Sequence, residues 1–313
     1  MSLEQKIVVF GAAGLVGQNL CLRLYQCGYK NIVGIDKSHF NSKILESLKV
    51  CSCVINENIE NLNSWVKAAE GASIFIFAHA QISGLYEKDF VDNNIKATQS
   101  ILDYLKNKKD IYVIHISSSV VNSLANDFYT QTKEVQEKEV IKHLSNYCVL
   151  RPTLMFGWFD RKHLGWLSRF MGKVPIFPIP GNGNYSRQPL YVGDFCKIII
   201  KCIDLKPRQR IFDISGMTKI PYIEIIKSIK KITQSKTIIV FIPVYLFRLL
   251  LKLYSFIFKN PPFTPSQLDA LIIPEDFPTD DWEREFNIES TNFEIAMTET
   301  LKDSIYSNIE LKF

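Results

Sequence analysis

The chain has 313 residues, 47% of them hydrophobic and 22% charged, and its 37 basic and 32 acidic side chains leave a net charge of +5. With 14 glycines and 13 prolines, collagen-like, low-complexity and disordered classes are excluded. So small a charge excess, without a long basic run, gives no argument for a nucleic-acid partner, and none is expected. At about 150 residues per domain the length fits two domains, or one large α/β unit with an appendage, and such a chain can bury a sizeable core without staples. The seven cysteines, at positions 21, 27, 51, 53, 148, 196 and 202, show no zinc spacing. No metal is expected, and reduced thiols point to the cytoplasm. The chain runs through Glu4 and Lys6 straight into a strand, so no signal peptide is expected.

In chain order, Lys6 to Phe10 reads as a buried strand, Leu15 to Cys27 as a helix stopped by Gly28, and Asn31 to Ile35 as a second strand. Strands follow at Ser73 to Phe77, Ile111 to Ser117 and Tyr147 to Arg151, the last stopped at Pro152. A helix carrying Ile95, Ile101, Leu102 and Leu105 on one face lies between the first two of these. This alternation predicts right-handed βαβ units, hence an α/β chain with a doubly wound parallel sheet of the Rossmann type. Beyond Pro152, prolines 175, 178, 180 and 189 with Gly181 and Gly183 mark a loop-rich stretch. A strand at Ile211 to Ser215 returns to the sheet, and Thr264-Pro265-Ser266-Gln267 reads as a helix start. The expected division is a dinucleotide-binding domain over 1–155, with 186–215 returning to it, and a smaller, mostly helical substrate domain over 156–313.

The first strand ends in Gly11-Ala12-Ala13-Gly14-Leu15-Val16-Gly17. Glycines between a strand and a helix let backbone amides at Ala13, Gly14, Leu15, Val16 and Gly17 approach a pyrophosphate at the positive helix end. Asp36 closes the second strand 19 residues after Gly17, placed to accept from an adenosine ribose. A carboxylate there repels a 2′-phosphate, which favours NAD over NADP, and Lys37 moderates the preference. Tyr129 and Lys133 stand four residues apart on one helix face, after the run Ser117-Ser118-Ser119 that ends a strand. A free phenol, with a pKa of about 10, is no base at neutral pH. An ammonium nearby lowers it, and a serine hydroxyl can hold the substrate oxygen whose proton moves. Tyr104 and Lys108 share the same spacing but sit late in a helix, away from the carboxyl edge of the sheet.

In these motifs, and in their order, the chain resembles the extended short-chain dehydrogenase/reductases that act on sugar nucleotides, over nearly its whole length to about residue 305. Three further stretches fit: Asn93-Asn94-Ile95-Lys96-Ala97-Thr98, Arg151-Pro152-Thr153-Leu154-Met155-Phe156-Gly157 and Arg187-Gln188-Pro189-Leu190-Tyr191-Val192-Gly193-Asp194. The resemblance implies Ser118, Tyr129 and Lys133 as catalysts, and Asn58, Ala78, Asn94 and Lys133 as further contacts to NAD. It implies Ser119, Arg187 and Tyr191 as substrate contacts, Arg187 on a diphosphate. Two departures matter. Only 11 residues separate Ser118 from Tyr129, about half the usual interval, and Phe77-Ala78-His79-Ala80-Gln81 replaces a His-x-Ala pattern, so His79 reads as a cofactor-flanking loop residue rather than a catalyst.

Ser119 and Val120 follow Ser118 where dehydratases carry an Asp-Glu pair, so dehydration is not expected. This leaves C4 epimerisation of a UDP-, dTDP- or polyprenyl-diphosphate-linked sugar through a 4-keto intermediate, as in polysaccharide biosynthesis. The alternatives are a 4-keto-sugar reductase using NAD(P)H and a non-catalytic NAD-binding subunit like those of respiratory complex I, which lack the Tyr-x-x-x-Lys pair. A homodimer is implied. Residues 238–258 are apolar, but Arg248, Lys252 and Pro243 argue against a membrane span. Arg248, Lys252, Ser255 and Lys259 form one polar stripe over 243–259, which suggests peripheral contact with the inner face of a membrane, against the blander reading of a packed helix.

Overall fold

The computed structural model describes residues 3–123, 127–257 and 265–312. The first half carries β1 (Ile7–Phe10), α1 (Leu15–Gln26), β2 (Ile32–Asp36), α2 (His39–Leu48), β3 (Cys53–Asn56), α3 (Leu62–Ala69), β4 (Ile74–Phe77), α4 (Glu87–Phe90), α5 (Ala97–Leu105), β5 (Tyr112–Ile116), α6 (Phe128–His143) and β6 (Tyr147–Pro152). Then come β7 (Met155–Phe156), α7 (Leu164–Met171), β8 (Ile176–Pro180), β9 (Ser186–Arg187), β10 (Leu190–Tyr191), α8 (Val192–Leu205) and β11 (Arg210–Ile214). The chain continues through β12 (Ile220–Pro221), α9 (Tyr222–Thr233), β13 (Ile238–Ile242), α10 (Val244–Ile257), α11 (Pro265–Ile272), α12 (Trp282–Phe286) and α13 (Phe293–Lys302).

Seven strands form one sheet in the order β11-β6-β5-β4-β1-β2-β3, every neighbour pair parallel. Successive residues send side chains to opposite faces. Ile7 and Val9 with Ile74 and Ile76 therefore join one apolar layer, and Val8 and Phe10 with Phe75 and Phe77 join the other. Both faces are covered by helices, as an all-parallel sheet requires. Chain order reverses on either side of β1, whose neighbours are β2 and β4, and the crevice at the carboxyl ends of such strands is where ligands bind. This is the doubly wound Rossmann sheet that the alternation predicted.

The second half adds mostly helices. A third apolar core gathers Phe156, Leu164, Phe177, Ile179, Tyr222, Ile226 and Met297. Arg23 of α1 ties this region to the sheet: it pairs with Glu299 at 2.8 Å, bonds the Tyr191 hydroxyl at 2.9 Å and lies 4.5 Å over the Trp158 ring. The apolar run 238–258 divides at Pro243 into β13, paired with β8, and α10. No helix among the described residues is long and apolar enough to cross a membrane. Arg248, in the polar stripe expected on α10, is paired with Asp269. The side chain of Ser255, and residues Lys259 and Thr264, lie outside the described part.

Gly17 packs α1 against the strand below it. A Cβ there would lie 2.3 Å from the Gly11 carbonyl oxygen and 2.6 Å from Ala12 backbone atoms, whereas at Gly14 the nearest contact is an ordinary 3.4 Å. Gly17→Ala should therefore cost about 1–3 kcal/mol, in the range of overpacked sites, while Gly14→Ala leaves the urea midpoint nearly unchanged. Equal midpoints for the two variants would contradict this packing.

Candidate active site

The turn after β1 places Gly11 at φ +79, with room for no Cβ because the backbone N of His79 lies 2.5 Å from where one would stand. A Cβ at Gly14 would meet only the Gly11 carbonyl among the described residues, so the space before α1 is open. Gly14 caps α1 without a side chain, which leaves the first-turn amides of Leu15, Val16 and Gly17 to an anion. Gly11, Gly14, Asp36, Lys37, Asn58, Ala78 and His79 line one cleft of about 140 Å³. Asp36 stands in its wall, its carboxylate accepting from the amides of Ala13 at 3.0 Å and Ser38 at 2.8 Å. Burial pushes the Asp36 carboxyl up and the two amides pull it back. Lys37 donates to Asn93 at 2.5 Å. A glycine cradle, open amides and a carboxylate in the cleft wall fit a dinucleotide.

Ser118 follows β5, half a turn before the 3-10 turn Ser119–Asn122, and its hydroxyl accepts from Val120 N at 3.4 Å. Asp127 caps α6 by accepting from Thr130 N at 2.8 Å, which fixes Tyr129 in the first turn. The shortened interval thus still brings Tyr129 near enough to Ser118 for the serine to act on the phenol. Burial raises the phenol pKa, Ser118 lowers it, and Asp127 raises it again. Lys133, one turn further on, is fully buried; its amine donates to the Ile116 carbonyl at 2.9 Å and to Gln136 Oε1 at 2.5 Å. Desolvation pushes it down to about 7, against a pull upward from Glu137. Burial thus favours neutral phenol and neutral amine together, and a cationic ring entering the cleft would shift the phenol toward its charged form.

Around this pair the helix before α5 makes one π turn, Val91–Lys96, that aims Asn94 inward. Asn94 accepts from Gln81 N at 2.7 Å and donates to Gln81 O at 3.2 Å and Thr132 Oγ1 at 2.9 Å, clamping the loop after β4 to α6. Asn94 is therefore a structural clamp rather than a residue of the cleft wall. Glu137 joins Ser117, at 2.6 Å, to both nitrogens of an Arg151 fork at 2.5 and 3.1 Å. His79 is buried and bonded to Thr98 and Gln136, and His115 is buried in β5; burial and Lys133 hold both imidazoles neutral.

A second cleft, about 650 Å³, gathers Arg161, Lys162, His163 and Arg187 with Glu275 and Glu310. Burial, then Arg161, lowers the Lys162 amine, which donates to Ser83 at 2.9 Å. Arg187 stands in this cleft, paired with Glu275 at 2.9 Å. Sequence reading missed Arg161, Lys162, His163 and Glu275; they come from loops with no periodicity and meet only through the fold. Tyr191 needs correcting as a substrate contact. Its ring is buried against Phe156 and its hydroxyl accepts from Arg23, which hold it inside the protein. Ser119 begins the 3-10 turn beside Ser118 and is half-buried.

The profile of the NAD dependent epimerase/dehydratase family matches residues 7–215, two thirds of the chain, and the protein belongs to that family. It is thus of the extended short-chain dehydrogenase/reductase type. Among solved structures, a UDP-glucuronic acid 4-epimerase from Bacillus cereus in complex with NAD is 24% identical, with TM-score 0.65 over 76% of this chain and 87% of that one. A UDP-glucose 4-epimerase from Thermotoga maritima with UDP-glucose is 16% identical, with TM-score 0.73 over 95% and 98%. A dTDP-glucose 4,6-dehydratase from Bacillus anthracis in complex with NAD gives 18% and TM-score 0.72 over 95% and 96%. At these identities the likeness establishes the fold. Among curated proteins, subunit 9 of the mitochondrial NADH dehydrogenase [ubiquinone] 1 alpha subcomplex is 25% identical in Dictyostelium discoideum over 63% of this chain. The mouse subunit is 22% identical over 94% of this chain and 79% of its own length. The chain spans 54% of the length of the Dictyostelium relative.

The buried Lys133 has a stability signature. An unfolded lysine titrates near 10.5 and this one near 7, so between those values the unfolded chain binds more protons and stability rises with pH. Below pH 7 the full penalty, at most about 5 kcal/mol, is present. Lys133→Met should raise the thermal midpoint by on the order of 5 °C at pH 6, with the gain shrinking toward pH 10. A gain independent of pH would show that the amine is not desolvated.

Proposed function

We propose that the protein is an NAD-dependent C4 epimerase of a sugar carried on a diphosphate. The observation that carries this is the convergence of Ser118 and Tyr129 at the carboxyl edge of the sheet, close enough that Ser118 draws the phenol pKa down, with Lys133 one turn behind on the same helix. Backbone amides at Leu15 to Gly17, with Asp36, Asn58 and Ala78, would hold the dinucleotide, since the Ala13 and Gly14 amides are taken by the Asp36 carboxylate and the Gly11 carbonyl. Bound NAD supplies the acceptor and donor of the hydride. Tyr129 takes the proton from the sugar hydroxyl and returns it, Ser118 holds that oxygen, and Lys133 lowers the phenol pKa. Arg187, Lys162 and Arg161 concentrate positive charge in the second cleft, where a diphosphate belongs. Glu275 holds the Arg187 fork until phosphate oxygens replace it. Ser119 and Val120 offer no acid beside Ser118, which supports epimerisation over dehydration. Because the cofactor is regenerated within each turnover, Asp36 and a retained NAD fit an epimerase better than a 4-keto-sugar reductase. The intact Tyr129–Lys133 pair supports a catalyst over a binding-only subunit.

A lipid-linked sugar diphosphate is the second reading. A cavity of about 340 Å³, walled by apolar and uncharged side chains, adjoins the charged cleft and shares Trp166, Leu167, Tyr222 and Leu271 with it. On α10, Tyr245, Leu249 and Leu253 are exposed, as a helix resting on a membrane surface needs.

Purified protein offered UDP-, dTDP- and polyprenyl-diphosphate sugars should form the C4 epimer without added cofactor. Tyr129→Phe should lower kcat by about 10²–10⁴-fold, the usual worth of general acid–base catalysis, with KM little changed. Arg187→Ala should raise KM and leave NAD affinity alone. A requirement for stoichiometric NADH would select the reductase, and retained turnover in Tyr129→Phe would remove the assigned base.

A further inference from the structure

The donors around Lys133 run in one direction. Its amine donates to the Gln136 carbonyl oxygen at 2.5 Å, so the amide NH₂ faces away. That NH₂ meets Thr98 Oγ1 at 2.8 Å and His79 Nε2 at 3.1 Å. His79 Nε2 must then accept, since two N–H groups cannot point at each other, and the Thr98 hydroxyl, 2.9 Å away, can supply its own proton to the same nitrogen. A neutral imidazole that accepts at Nε2 carries its proton at Nδ1. Burial and the neighbouring Lys133 keep the ring neutral, down to about 3.

His79 Nδ1 is buried with no hydrogen-bond partner among the described residues. The residue is 6% exposed and lines the cleft shared by Gly11, Gly14 and Asp36, and its own backbone N packs on Gly11, at the turn that starts the pyrophosphate loop. A buried donor left unpaired is costly, and the cleft that His79 lines can supply an acceptor once a dinucleotide occupies it. We propose that His79 is a cofactor-positioning residue: its Nδ1–H, set by the Lys133–Gln136 relay, donates to an oxygen of the bound dinucleotide at the pyrophosphate or the ribose beyond it. The proposal rests on the family's NAD cleft but not on the reaction. It gives Lys133 a second effect, since the amine that tunes Tyr129 also fixes the tautomer of a cofactor donor.

His79→Phe keeps a ring against Phe10 and Phe77 and removes the donor. Calorimetric titration should show NAD bound about tenfold more weakly than by the native protein, equivalent to about 1.4 kcal/mol. ADP-ribose should weaken in parallel. A matching loss for ADP places the acceptor on the pyrophosphate, and unchanged ADP binding places it on the ribose. Nitrogen NMR of histidine-labelled native protein should show His79 neutral and protonated at Nδ1, with that proton protected from exchange when NAD is added. This second measurement stands even if the variant does not fold. Unchanged NAD affinity in a folded variant, an Nε2-protonated ring, or an Nδ1 proton indifferent to NAD would overturn the proposal while leaving the cofactor intact. Native protein that fails to bind NAD would instead remove the cofactor and this role together.

Discussion

A lysine amine with no access to water must find its acceptors inside the protein, and most of the site's architecture answers that constraint. Lys133 reaches across from α6 to the last carbonyl of β5, which holds the helix over the strand end where Ser118 begins. Its second bond sets Gln136, which in turn orders Thr98 on α5 and His79 after β4. One buried donor thus locks three segments that meet at the carboxyl edge of the sheet. Desolvation near a charge is also what makes the amine useful. A neutral-leaning lysine beside a neutral-leaning phenol is a pair whose protonation responds strongly to a cationic ring placed next to it.

The remaining charges are arranged so that they do not compete. Glu137, the carboxylate facing Lys133 from the same helix, is occupied by Ser117 and the Arg151 fork, so it supports the strand end rather than neutralising the amine outright. Asn94 satisfies both backbone groups of Gln81 and keeps the loop carrying His79 from moving into the cleft. The cations of the second cleft come from a different part of the chain, and Lys162 connects to the first cleft through Ser83. The two halves of the site are therefore joined by the loop after β4.

Strands with continuous Ile, Val and Phe were legible in the sequence to within a residue or two, and so was the glycine turn with Asp36, because each carries a local pattern. β3 was not. Cys53-Val-Ile-Asn56 is a half-buried edge strand with little apolar signal, and it exists because β2 offers it a partner. That Tyr129 and Lys133 share one helix face after a serine run that ends a strand was legible from spacing, whereas singling out Ser118 needed the family resemblance. His79 was visible only as a cofactor-flanking loop residue, since its role depends on hydrogen bonds from α5 and α6 that no local pattern encodes. Tyr191 was misread because its motif suggests a ligand contact, whereas Phe156 and the Arg23 guanidinium claim the ring. Arg187, expected on a diphosphate, stands in the second cleft, and its pairing with Glu275, 88 residues later, is a tertiary fact that no local pattern encodes.

The central claim is that Tyr129 and Ser118 work on a sugar hydroxyl whose carbon gives up a hydride and takes the same one back. A UDP-sugar carrying deuterium at C4, turned over by purified protein without added nicotinamide, tests it most directly. The account predicts that the epimer forms with the deuterium still at C4, because the hydride never leaves the cleft. Loss of the label to solvent, or product formed only when reduced nicotinamide is consumed mole for mole, would contradict it.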